Sequence, residues 1–299
     1  MKLANLPNRQ TSFKDYLKSK GFASKSIANR LKIINLYKQW VAQENLEIEQ
    51  ISYTDLLLFQ KYSQQKGRSQ KTIGNYLIVV KHYYDYLVEI GKTAINPAIG
   101  IEVKGIKRKV LYHILEPTEL HQLYNQFTDD SLKGSRDKIM LGLLVYQGLQ
   151  TSELAKLTTE HIKLREGKID VPGSTNSNGR MMQLEAHQVM DMYDYVLQIR
   201  PKILEQSGQE TDRLLVSPSG GTEVSNFMSR MIKKLKRINP SVKNAQQIRA
   251  SVITKWLKTK NLRETQYLAG HRYISSTESY QQNELEGLKE EINLYHPLN

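Results

Sequence analysis

Cysteine is missing from the 299-residue sequence altogether. Disulfides and thiolate-based metal centres are thereby excluded, and a reducing compartment suits the chain. Long apolar runs are missing as well. The most apolar stretch, residues 139–146, falls far short of the roughly 20 residues that cross a bilayer as a helix. Residues 1–10 have no apolar segment of the kind a secretory signal needs. There are no internal repeats and no low-complexity tracts. These absences point to a soluble, cytoplasmic protein with no membrane partner, and no residue set calls for a metal or other cofactor. Negative charge is scarce: 30 acidic residues face 43 basic ones, a net charge of +13. Such a surface is drawn to polyanions, whether nucleic acid, anionic membrane or acidic protein.

What is present reads as two domains, as the length suggests at roughly 100–200 residues per domain. Residues 11–91 read as helices separated by short breaks. The first, 11–20, ends at Gly21. Ser24 supplies a hydroxyl to cap the second, which carries Ile27, Leu31, Ile34 and Tyr37 or Val41 on one stripe. Thr54 and Asp55 open a third, with Leu57, Leu58 and Tyr62 inward. Ser69 opens a fourth, with Ile73, Leu77, Val80, Tyr84 and Leu87 inward, and Gly91 stops it before Asn96-Pro97. Residues 101–115 break the pattern with Lys104, Lys107, Arg108 and Lys109 among glycine and β-branched residues, as a basic linker would. Glu116-Pro117 starts a new helix. Residues 136–149 read as a buried helix. Two short strands, 168–171 and 181–184, flank a turn-rich stretch from Pro172 to Gly179, which predicts a hairpin. Helical periodicity returns beyond Val189, interrupted by a loop at 217–221. The expected fold is therefore mainly α with a small β-hairpin or sheet. Its domains are 1–105 (helical), 106–115 (linker) and 116–299, with a tail from about 281.

Up to Gly105 the chain carries sixteen basic and eight acidic residues. Lys25 and Arg30, then Lys66, Arg68 and Lys71, gather near helix starts. Free backbone N–H groups and the positive end of the helix dipole are found there too, so the combination favours phosphate contacts. An ordinary solvated helix face is the alternative for any single lysine.

The most informative segment holds Gln246-Gln247-Ile248-Arg249, then Leu268-Ala269-Gly270-His271, then Tyr280 nine positions after the histidine. Together with Gly148-Leu149-Gln150-Thr151-Ser152-Glu153-Leu154, it resembles the C-terminal signature of the phage-integrase and Xer-type tyrosine recombinases. That signature runs Gly-Leu-Arg-x-x-Glu-Leu, His-x-x-Arg, Leu-Gly-His and a tyrosine. The likeness extends over most of the chain, and it implies a two-domain clamp with a SAM-like N-terminal domain and a catalytic C-terminal domain. It further implies that Tyr280 attacks a DNA phosphodiester and leaves a 3′-phosphotyrosine ester, with Arg249 and His271 stabilising the phosphoryl oxygens. Double-stranded DNA is then the partner, contacted by Lys25, Arg30, Arg68, Lys71, Lys107, Arg108 and Arg180. The implied assembly is a homotetramer on DNA, nucleoid-associated when bound and coupled through the tail, or a hetero-assembly with a related recombinase.

Three positions depart from the family pattern. Gln150 stands where the first arginine is expected, Gln246 where the first histidine is expected, and Ser174 where the hairpin lysine is expected. Removing a phosphate-stabilising arginine reduces rates by about 10³–10⁵. Two readings follow from this: an integrase or recombinase that exchanges DNA strands for a mobile element, and a DNA-binding partner of the same fold with weak or no chemistry. A third is a basic helical DNA binder such as a repressor, in which Arg249 pairs with Glu153 and Tyr280 is a packing residue.

Overall fold

The computed structural model describes residues 12–104 and 113–281. Lys107 and Arg108, most of the basic linker and nearly all of the tail lie outside the described residues. The chain divides into two compact units, residues 1–107 and 108–299.

The first unit is helical: α1 (Phe13–Ser19), α2 (Ser24–Gln43), α3 (Tyr53–Gln65) and α4 (Gln70–Glu89). Its core is aromatic. The Phe59 ring meets Tyr37 edge-on at 5.0 Å and Trp40 at 5.1 Å. The Tyr37 and Tyr84 hydroxyls pair at 2.8 Å, and Tyr84 donates to the Ile48 carbonyl at 3.0 Å, so neither phenol is buried without a partner. Burial raises both phenol pKa values.

Helix starts are capped as the residue types demand, with two corrections to the sequence reading. Ser24 does not cap α2; it is the first helical residue, and Ala23 is the extended N-cap. The third helix is opened by Ser52, whose Oγ accepts from the Asp55 N–H at 3.3 Å while the Ser52 N–H donates to Asp55 Oδ2 at 2.9 Å. Its buried face is Leu56, Phe59 and Ser63, not Leu57 and Leu58, which are 42% and 51% exposed. Four consecutive apolar residues at 100° each encircle a helix, so periodicity cannot choose the inward face and packing decides. The fourth helix follows expectation: Ser69 caps it, all five anticipated residues are buried, and Gly91 lies past its end at φ +71°.

The second unit holds α5 (Pro117–Gln126), α6 (Leu132–Val145) and the short α7 (Thr151–Leu154), then three strands. β1 (Ile162–Lys163), β2 (Lys168–Val171) and β3 (Arg180–Gln183) form an antiparallel sheet in that order, with Val171 opposite Arg180. The hairpin is where the sequence places it, one residue earlier on its second strand, and β1 is an addition. Helices α8 (Ala186–Asp194) and α9 (Arg200–Ser207) are joined by a π-helical turn, Tyr195–Ile199. Pro201, which has no N–H to donate, follows that turn at the start of α9. Then come α10 (Val224–Ile238), α11 (Ala245–Thr259), α12 (Leu262–Ala269) and, last among the described residues, the helical stretch α13 over 274–281. The apolar helix α6 is the buried centre, but it begins at Leu132 and ends at Val145. Gly148, at φ +57°, turns the chain beyond it. No helix among the described residues is long and apolar enough to cross a membrane.

Candidate active site

The site grows from the ends of α7, α11 and α12. Asn244 caps α11 by accepting from the Gln247 N–H at 2.9 Å, and Arg249 sits in the second turn of that helix, only 6% exposed. Its guanidinium is aimed by backbone. Nη2 donates to the Ala269 carbonyl at 2.6 Å, and Nη1 donates to the Gly148 carbonyl. Nη2 also lies 3.4 Å from His271 Nε2. The left-handed turn at Gly148 thus does more than end a helix: it leaves a carbonyl facing the arginine. Burial lowers the Arg249 pKa, while the Glu153 carboxylate and the Tyr280 hydroxyl, the latter by charge and hydrogen bond, work in the opposite direction.

Glu153 and Arg180 form the frame behind Arg249. Arg180 grips the carboxylate with both ends of its fork, Nη1 to Oε1 at 2.7 Å and Nη2 to Oε2 at 3.2 Å, and Nε donates to the Leu268 carbonyl at 2.6 Å. Glu153 Oε2 also accepts from the Gln150 N–H at 2.8 Å, and Arg249 Nη1 is 3.8 Å away. Burial pushes the Glu153 carboxyl upward, but the two arginines and the Gln150 N–H outweigh it and the net shift is downward. This overturns the expectation that Arg180 faces DNA: its side chain is fully buried against Glu153. It also qualifies the alternative partner for Arg249, since Arg180 makes the close ion pair. Nothing in the spacing of residues 153 and 180 signals that pairing, because it depends on how the hairpin docks on α12.

That docking also fixes His271. The hairpin turn lies along the chain after α12, with Ser177 bridged to His271 and the Asn178 N–H donating to the Gly270 carbonyl at 2.9 Å. Only glycine fits at 270. The residue adopts φ +66°, and a Cβ would stand 2.4 Å from Arg180 Nη1. His271 Nδ1 is 2.9 Å from Thr277 Oγ1 on α13, and its ring stacks on that of Tyr280 with centroids 5.8 Å apart and planes 15° from parallel. Desolvation, and then the Arg249 and Arg180 charges, lower its pKa to about 4. The imidazole is therefore neutral near pH 7. With Arg249 donating toward Nε2, the network assigns the ring proton to Nδ1, facing Thr277.

These groups open onto a cleft of about 920 Å³ whose walls include Gln150, Gln246, Arg249, His271 and Tyr280. Five of the six residues expected in the site are thus brought together. The sixth, Ser174, is not part of that wall. Its Oγ accepts from the Asn176 and Ser177 N–H groups at 3.2 and 3.1 Å and pairs with Ser177 Oγ at 3.0 Å, so it closes its own turn. The neighbouring Thr175 and Asn176 line a smaller recess on another side of His271, with Arg272 and Tyr273. Two lysines not singled out by sequence, Lys233 and Lys236, line the main cleft from α10. They belong to a basic helix whose inward stripe, Val224, Phe227, Met228, Met231, Ile232 and Leu235, has helical spacing, whereas what its lysines face depends on packing. A buried guanidinium, a neutral imidazole and a phenol at one cleft can hold a tetrahedral oxyanion and bring a nucleophilic oxygen to it. Among the described residues no cluster of side chains suited to a metal ion occurs.

Of the residues expected on DNA in the first unit, Lys25, Arg68 and Lys71 are exposed near the N-termini of α2 and α4. Arg30 is instead half-buried, with its guanidinium carbon 4.1 Å above the Phe22 ring, and burial lowers its pKa.

Residues 113–286 match the profile of the phage integrase family, and residues 11–91 match that of the phage integrase N-terminal SAM-like domain. The chain is similar to the tyrosine recombinase XerD of Staphylococcus saprophyticus, 26% identical over 297 residues, covering 96% of this chain and 99% of that one. In fold it is similar to the XerH site-specific recombinase in a post-cleavage complex with its palindromic difH substrate. That match has a TM-score of 0.74 at 16% identity and covers 96% of this chain and 86% of that one. It is also similar to a lambda integrase dimer bound to a COC′ core site, with a TM-score of 0.65 at 14% identity, covering 91% and 93%.

Proposed function

The chain belongs to the phage integrase family, and from that premise we propose that it is a site-specific DNA recombinase whose nucleophile is Tyr280. In the step envisaged, Tyr280 Oη forms a bond to the phosphorus of a DNA phosphodiester and the bond from phosphorus to the 5′ oxygen breaks. The phenol proton leaves to a base, the 5′ oxygen takes up a proton, and a 3′-phosphotyrosine ester remains. Attack by the 5′-hydroxyl of another strand reverses the step on a new partner. One phosphodiester is exchanged for another, so no external energy source is required.

The observation that carries this reading is the convergence of Arg249, His271 and Tyr280 on one cleft. Arg249 is the fixed positive charge for the phosphoryl oxygens. His271, kept neutral by burial and by two guanidinium charges, stacks on the Tyr280 ring and accepts from Arg249, so that it holds the nucleophile and the guanidinium in register. Exposed Lys25, Arg68 and Lys71 favour duplex DNA as the partner of the first unit. The lambda integrase dimer bound to its core site supports an assembly of several copies on DNA for this chain too.

A nicked suicide duplex carrying the chain's own site should trap a covalent protein–DNA adduct that vanishes in Tyr280→Phe. A wild-type chain that binds the duplex and yields no adduct overturns the proposal. One observation favours a second reading, a DNA-binding partner without chemistry: Ser174 closes its own turn, and Gln150 and Gln246 bring no charge to the cleft. On that reading Gln150→Arg with Ser174→Lys creates an adduct the wild type does not form.

A further inference from the structure

The cleft lacks a guanidinium at Gln150, yet it does not lack cations. Helix α10 turns one stripe toward it, Ser225, Ser229, Lys233 and Lys236, at the three- and four-residue spacing that places side chains on a single face. Helix α7, which Gln150 opens, packs against α10. Lys233 and Lys236 are thereby delivered to the wall that Gln150 shares with Arg249 and Tyr280.

The residue between them shows why these two lysines stay on the cleft side. Lys234 points away and is anchored: its Nζ is 2.6 Å from Asp129 Oδ2 and 4.0 Å from the buried Asp137 Oδ2, and it lies over the Phe127 ring. A helix anchored on one side presents the opposite side in a fixed register. Lys233 and Lys236, by contrast, are exposed and have no acidic partner within 4 Å among the described residues. Among the described residues no aspartate or glutamate lines the cleft to neutralise them. Two uncompensated ammonium groups beside a buried guanidinium form a site for an oxyanion.

We propose that Lys233 and Lys236 together supply the second positive charge to the phosphoryl group at Arg249, in the place left without a guanidinium by Gln150. The inference rests on the recombinase reading for its reaction, but not for its binding chemistry. An ammonium on a four-carbon stem acts as a movable point charge rather than a rigid fork. It can therefore neutralise the developing charge from a different element of the fold, with less control of geometry.

The test uses the full chain and tungstate, a stable tetrahedral dianion, followed through the Arg249 side-chain N–H resonance at fixed ionic strength. Tungstate is expected to shift that resonance in the wild type. Its Kd should weaken about tenfold or more in Lys233→Gln/Lys236→Gln, recover in the Lys233→Arg/Lys236→Arg chain, and recover in part when Gln150→Arg is added to the double glutamine variant. Lys14→Gln, in the other unit, should leave it unchanged. An absent shift at Arg249, or a wild-type Kd in the double glutamine variant, overturns the inference. The suicide-duplex assay separates the two claims. Lysine-dependent tungstate binding in a chain that forms no adduct removes the recombinase reading alone. Lysine-independent binding in a chain that does form the adduct removes this inference alone.

Discussion

The two units bury different chemistry. The first fills its interior with rings and branched chains and, among the described residues, fully buries no charged side chain, Arg30 being half-buried, and its Tyr37 and Tyr84 hydroxyls satisfy one another. The second encloses Arg136, Asp137, Glu153, Arg180, Arg249 and His271. Burying an ion far from water costs several kcal/mol unless it is paired and hydrogen-bonded, so such groups persist only where their partners are in place. The comparison teaches that charge inside this protein is used to aim other charge. Arg180 neutralises Glu153, the pair stands behind Arg249, and Arg249 with its backbone carbonyls faces the cleft. The first unit, whose Lys25, Arg68 and Lys71 are exposed, has no such interior among the described residues.

Four measurements would break or sharpen this contrast. The largest effect is expected for Arg180→Met, which leaves Glu153 buried without its partner. Urea denaturation should show a loss of about 3–5 kcal/mol, largely recovered in Arg180→Met/Glu153→Gln. A loss below about 1 kcal/mol would mean that the carboxylate is solvated and the frame is not electrostatic. In the first unit the counterpart is apolar: Leu56→Ala should lose about 2–5 kcal/mol, and its exposed neighbour Leu57→Ala should stay within about 0.5 kcal/mol. Equal losses would show that the burial of α3 is misassigned.

The third effect is a pH dependence that only the second unit should carry. The His271 pKa is lowered to about 4 in the folded chain from an ordinary 6.5. Between those values the unfolded chain holds a proton that the native state refuses. Stability from this group is complete above pH 6.5 and falls as pH drops toward 4, by up to about 3 kcal/mol. His271→Gln should flatten that part of the stability profile; an unchanged slope would assign it to other groups. The smallest effect is expected at the surface of the first unit. Lys71→Gln should leave the melting temperature nearly unchanged and reduce the slope of log binding constant against log salt by about 1. No change in slope would remove Lys71 from the DNA-facing surface.

Much of this was legible in the sequence where local rules suffice. Ser69, the stripe from Ile73 to Leu87 and Gly91 define α4 because a cap, a 3.6-residue period and a left-handed stop act within one segment. The hairpin was legible from its turn residues, and the Arg249, His271 and Tyr280 set from its resemblance to the family signature. Local rules failed where two surfaces compete for one helix, as with Leu56 against Leu57. They also failed where partners lie far apart in the chain: Arg180 looked like a surface cation because Glu153 is 27 positions away, and Lys233 and Lys236 looked like any other lysines on a basic helix.

The sequence by itself determined the helical segments, the basic balance, the absence of thiol chemistry and the set of residues that define the family. Those depend on residue type and on short-range geometry. Tertiary structure alone decided which charges are enclosed and what each one faces. It turned Arg180 inward, closed Ser174 into its own turn, lowered the proton affinity of His271 and placed two lysines beside Gln150. The reason is electrostatic: in water a charged side chain has much the same energy in any direction, whereas inside a folded domain its state is set by the groups within a few ångströms.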